Sequence, residues 1–211
     1  MSIKRFVLTA LAATFLVSAC SDSDTSMAEY VEQLDGIFTN AIEQYEALVG
    51  TPEGLVLIAG QGPHLGFDDQ GAELSDFTPR DLQIALEQLV ELQDEAMAAA
   101  AAIEPPDQIA DLHDLYFREL PMAELAARAG TTDDWQELSN SPEMAAYRSA
   151  LAADNEICAD FQAELDATAD RGAFADTPWV PERLEEIVDF ALGCDAVPSN
   201  PEDIFRPVAT T

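Results

Sequence analysis

Lysine is almost missing from this chain. Lys4 is the only one, and lysine and arginine together number 9 against 41 acidic residues, for a net charge of -32. So few cations exclude a nucleic-acid binder, because phosphate backbones require a basic surface. They equally exclude adsorption to anionic lipid by charge alone. Histidine occurs only at His64 and His113, and no Gly-x-Ser-x-Gly, His-Glu-x-x-His or CxxC arrangement is present. The familiar frames for acyl transfer, zinc hydrolysis and dithiol chemistry are therefore absent from the sequence. Long apolar runs are missing as well. The uncharged stretch Phe6 to Val17 falls short of the roughly 20 residues that span a bilayer. No alternating run is long enough to build a sheet.

What the sequence does have begins at its start. Lys4 and Arg5 precede that uncharged stretch, which closes on Val17-Ser18-Ala19-Cys20 and drops into Ser-Asp-Ser-Asp. A positive opening, a short apolar centre and small residues before a cut site make a secretory signal. Val17 to Cys20 resembles the lipobox of bacterial lipoproteins. The resemblance implies cleavage before Cys20, acylation of its thiol and a mature protein anchored to a membrane. Residues 1–19 are then the cleaved signal, 20–26 a lipidated tether and 27–211 a single helical domain. Cleavage removes Lys4 and Arg5 and no acid, so the mature chain is more negative still. The expected location is extracytoplasmic, at the cell surface or in the periplasm, with Ser21 pointing to the outer membrane of a two-membrane host.

Hydrophobic residues make up 48% of the chain, enough for one core despite the charge. Acids are spread through every segment, the pattern of a solvated surface suited to salty surroundings more than of a cation collector.

The apolar spacing predicts an all-α fold: an antiparallel bundle of four main helices plus a short C-terminal helix. The first helix covers Met27 to Val49, with Val31, Leu34, Phe38, Ala41, Tyr45 and Leu48 inward. The second opens at Thr78-Pro79-Arg80-Asp81, a capping box with proline in the first helical position, and stops before Pro105-Pro106. The third runs from Asp107 to Ala129 with Ile109, Leu112, Tyr116 and Leu120 inward, and Pro121 should kink or divide it. The fourth starts at Ser141-Pro142-Glu143, with Met144, Tyr147, Leu151, Cys158, Phe161 and Leu165 inward and Gly172 as its stop. A short helix follows Pro181, and the tail beyond Asp195 is expected to pack as an extended segment. Trp135 falls in a polar connection between the third and fourth helices, where covering the core is its expected role.

Cys158 and Cys194 are the other two cysteines. Outside the cytoplasm they are expected to pair, stapling the tail to the fourth helix.

The long loop between helices 1 and 2, residues 50–77, is the candidate site. It carries the apolar run Leu55 to Ala59 and then His64, Asp68 and Asp69 among glycines. Together with His113 these supply imidazole and carboxylate ligands of a kind that suits a divalent metal such as Ca, Zn or Cu. Gly62-Pro63-His64 resembles the opening of the GxHxxE motif of imelysin-type helical proteins. Phe67 stands in its acidic position, so that family's function is not carried over. The competing reading is a lid, with Leu55 to Ile58 and Phe67 packed over the end of the bundle. His113, in turn, is expected at the edge of the bundle with one hydrogen bond.

The functional expectation is a lipid-anchored, acidic extracytoplasmic domain acting by binding or assembly, non-enzymatic, with a membrane and an envelope protein as partners and no cofactor. The alternatives are a divalent-metal-binding bundle and, behind it, an enzyme of unrecognised type.

Overall fold

The computed structural model describes residues 25–61, 73–167, 194 and 197–207. Among these residues the fold is all-helical. Seven α-helices follow in order: α1 Met27–Val49, α2 Leu55–Gln61, α3 Pro79–Ala101, α4 Ala110–Tyr116, α5 Met122–Ala129, α6 Trp135–Ser139 and α7 Pro142–Ala167. None is long and apolar enough to cross a membrane.

Local chemistry sets the starts. Ser26 caps α1 and Glu29 answers it in a capping box, as Thr78 and Asp81 do for α3. The Ser141 hydroxyl accepts from the Met144 amide at 3.1 Å and holds the first turn of α7. Each such cap contributes about 1 kcal/mol. A single fully buried leucine contributes more, about 2 kcal/mol, so packing decides the fold.

That packing is divided between two cores. One gathers Leu48 and Val49 from the end of α1, Leu82 to Leu89 from the start of α3, α5, and Met144 to Leu151 from the start of α7. The other gathers Tyr30 to Leu34 from the start of α1, Ala100 at the end of α3, Ile109 and Phe117 around α4, and Ile157 to Leu165 of α7. Every long helix therefore reaches from one core to the other. Between them α1 is more exposed: none of its residues is fully buried from Asp35 to Ala47.

Three expectations need correction. The connection after α1 is not loop throughout, because its apolar run folds as α2, burying Val56 and Leu57 in the first core. Gly54 makes the turn, since a Cβ there would lie 2.1 Å from the Leu48 carbonyl oxygen. Trp135 is not in a loop but starts α6, capped by the Asp134 carboxylate on the Gln136 amide at 2.8 Å. The inward face of the third segment is also rotated. His113 and Phe117 are buried, whereas Leu112 and Tyr116 are half-buried. From the buried Ile109 the stripe steps by four residues to His113 and again to Phe117, where the expected stripe stepped by three to Leu112. Division around Pro121 occurs as expected, with α4 ending at Tyr116 and α5 opening at Met122. The short helix expected after Pro181, and Gly172, lie outside the described residues.

The tail closes the first core. Ile204 and Phe205 are 1% exposed, and Phe205 adopts a positive φ of 49°. Its amide donates to the Gly60 carbonyl at 2.7 Å, and a Cβ on Gly60 would sit 1.9 Å from the Phe205 ring. Glycine is therefore the residue that lets this ring approach α2. Trp135 stacks on Phe205 with centroids 6.3 Å apart and donates its indole N–H to the Phe77 carbonyl at 2.8 Å. Arg148 holds the backbone behind them, donating to Ser139 O and Oγ at 3.0 Å each and to Ile204 O at 2.5 Å. Asn155 donates to Pro198 O at 2.8 Å. Cys158 and Cys194 form a disulfide, with Cα atoms 6.0 Å apart.

Candidate binding cleft and the buried histidine behind it

The division of the third segment is what opens a cleft. Pro121 lacks an amide hydrogen, so the helix cannot run through it. The Phe117 amide still reaches His113 O at 3.1 Å, closing α4, and the Met122 amide takes a short contact to Leu120 O at 2.8 Å. Between them residues 117–121 cross as an irregular link, leaving part of α3 uncovered. The resulting cleft holds about 730 Å³. Met97, Phe117, Leu120 and Met122 form its apolar floor, and Asp94, Glu119 and Glu124 stand around it. All three carboxylates belong to exposed residues.

Arg118 is the one basic residue in the lining. Its guanidinium turns toward α7, pairing with Asp154 at 2.9 Å and donating to the Ala150 carbonyl at 3.1 Å and to the Leu115 carbonyl. Asp154 is 5% exposed. Burial pushes its carboxyl above the ordinary range, and Arg118 pulls it back. The pair thus spends the arginine's charge on a buried acid and leaves the cleft negative.

His113 lies directly behind Phe117, with ring centroids 4.9 Å apart in an edge-to-face arrangement. It is 2% exposed, so it is a core residue and not the edge residue the sequence suggested. Its Nε2 faces the Ala101 carbonyl at 3.5 Å, and its Nδ1 lies 2.9 Å from the Tyr30 hydroxyl. A carbonyl only accepts, so Nε2 donates to it, and in the neutral imidazole Nδ1 accepts from Tyr30. Burial raises the Tyr30 phenol well above its usual range and keeps it a donor.

Of the other sequence-derived site residues, Cys20, His64, Asp68 and Asp69 lie outside the described residues. Cys158 and Cys194 meet as the bridge. Among the described residues no group of three or more His, Cys, Asp or Glu is arranged to hold a metal ion. A second, shallower hollow of about 550 Å³ lies over Glu29, Glu32 and Glu104. Glu29 is occupied there by its capping box, and hydrogen bonds from Ser26 lower its pKa. Sequence reasoning missed the cleft, Arg118–Asp154 and Arg148. The signal for the cleft is Pro121, whose break in the helix uncovers part of α3.

Comparison with known proteins found no matching family model, no similar curated protein and no similar solved structure.

Proposed function

We propose that this chain is a lipid-anchored, strongly acidic extracytoplasmic domain that works by binding or assembly and not by catalysis. The Cys158–Cys194 bridge carries the reading. Disulfides persist in oxidising compartments, which agrees with a start that resembles a lipoprotein signal ending at Cys20. In this reading the acyl chains supply the membrane attachment that a charge of -32 would oppose. An envelope protein is the partner class that suits a domain held at that surface.

The bundle proposed with it is up-down-up-down: α1, α3, the α4–α5 pair and α7. It is supported by the way successive segments alternate between the two cores.

The experiment is palmitate labelling of the full chain in a bacterial host that processes lipoproteins, with membrane fractionation. The expected outcome is label and membrane retention, both lost in Cys20→Ser. An unlabelled, freely released wild-type chain would overturn the anchor. The same preparations, titrated with Ca²⁺, Zn²⁺ and Cu²⁺ at fixed ionic strength, address the metal alternative. A saturable rise in thermal stability, lost in His64→Ala, would replace the present reading with a metal-binding one.

A further inference from the structure

The cleft between α3 and the α4–α5 break has three properties that together specify a ligand. Its volume of about 730 Å³ falls within the roughly 300–1,000 Å³ typical of small-molecule sites. Its floor is apolar, and two of the floor residues, Met97 and Met122, are flexible thioethers that reshape around different apolar bodies. Its net charge is negative. Asp94, Glu119 and Glu124 surround it, while Arg118 is drawn away by Asp154 and two backbone carbonyls.

We infer that this cleft binds a small organic cation with an apolar body: a protonated amine or quaternary ammonium whose chain or ring lies on the Met97–Met122 floor while its charge sits among the three carboxylates. The inference deepens the reading of the chain as a binding protein and rests on it. A neutral apolar molecule would use the floor alone. An anion would meet three like charges. An inorganic cation would find exposed carboxylates already well hydrated and no converging ligand set, and would leave the floor unused. The organic cation is the class that satisfies both surfaces. Phe117 adds to the selection. Phe117 lines the cleft while its ring is packed against His113 and Phe38, so the floor is backed by a buried core side chain.

The test uses the full chain in neutral lipid vesicles, with protein-free vesicles as the partition baseline. The probe is 4-phenylbutylamine and the control is 4-phenylbutanol, which keeps the apolar body and removes the charge. Binding is read by isothermal titration and by saturation-transfer NMR. The expected result is saturable amine binding, at least tenfold tighter than the alcohol and weakened at least tenfold by Asp94→Asn/Glu119→Gln/Glu124→Gln. These positions are exposed, so the folded chain tolerates the exchange. Ala98→Trp, on the exposed rim, should obstruct the cleft and abolish binding without changing the helical content. Equal binding of amine and alcohol, amine binding indifferent to the triple exchange and to Ala98→Trp, or no saturable binding by the wild type would each overturn the inference. Loss of the cleft reading with Cys20 acylation intact leaves the anchored domain standing, and the reverse result separates the two in the other direction.

Discussion

The two cores are closed by different means. The first, where α1 ends and α7 begins, is sealed by insertion: Phe205 fills the space over Gly60, Trp135 lies flat on it, and Arg148 grips the Ile204 backbone behind. The second, where α1 begins and α7 ends, is sealed by a covalent bridge and by one buried polar pair, Tyr30 with His113. Insertion relies on shape, so it demands the particular residues that fit. A bridge relies on connectivity and tolerates its surroundings. The difference teaches that the two ends of the long helices are secured independently, one by side-chain fit and one by a covalent link.

The comparison can be broken most severely at the first end. Phe205→Ala should cost about 3–5 kcal/mol, the range for emptying an aromatic site in a packed core, as read by urea unfolding. In a Trp179→Phe background it should also reduce the difference in Trp135 fluorescence between folded and unfolded chain, because the indole loses its stacking partner. At the second end, Cys158→Ser/Cys194→Ser should cost about 4 kcal/mol from the chain-entropy model for a sequence separation of 36. Reductant should lower the wild-type unfolding midpoint by the same amount and leave the double variant unmoved. Tyr30→Phe is milder at about 1 kcal/mol, since it removes one donor from a histidine nitrogen while keeping the ring.

A finer distinction comes from acid titration. Burial holds the folded Asp154 pKa above its ordinary value of 3.8. Its favourable contribution is therefore full below 3.8 and is lost as pH rises through the folded pKa. Glu137 is the opposite case. Hydrogen bonds from Arg128 and Thr132 lower its pKa, so its contribution is present above 4.5 and lost as pH falls through the folded value. Stability measured against pH should show the wild type gaining on Asp154→Asn as the solution is acidified, and losing ground to Glu137→Gln over the same range.

Much of the fold was legible because it depends on local patterns. Thr78, Asp81 and Pro79 announce α3 with a capping box, and Ser141 and Pro142 announce α7. The stripe of α7 from Met144 to Leu165 is buried as its spacing implies. The seam of α1 is only partly so: Val31, Leu34 and Leu48 are buried, but Phe38, Ala41 and Tyr45 are half-buried where the two cores part. What escaped the sequence depends on distant partners. Leu55 to Ala59 carries too few residues to display a helical period, and it folds as α2 against α1 and α3. Arg148 shows no local reason to be buried, because its acceptors come from α6 and the tail. His113 turns inward because the buried stripe steps by four from Ile109 to His113 and Phe117, while the apolar Leu112 and Tyr116 favour the neighbouring face in the sequence. The cleft is illegible for the same reason, being the absence of helix where α3 passes by.

The contact between Gly60 and Phe205 has a kinetic meaning. Helices and their neighbours in sequence can meet early, since closing a short loop costs little chain entropy. Gly60 and Phe205 are far apart along the chain, so their meeting closes a long loop. A clasp closed over so long a separation is expected to form late, and the first core should open by a partial excursion, shedding the tail from α2 while α3, α5 and α7 stay packed.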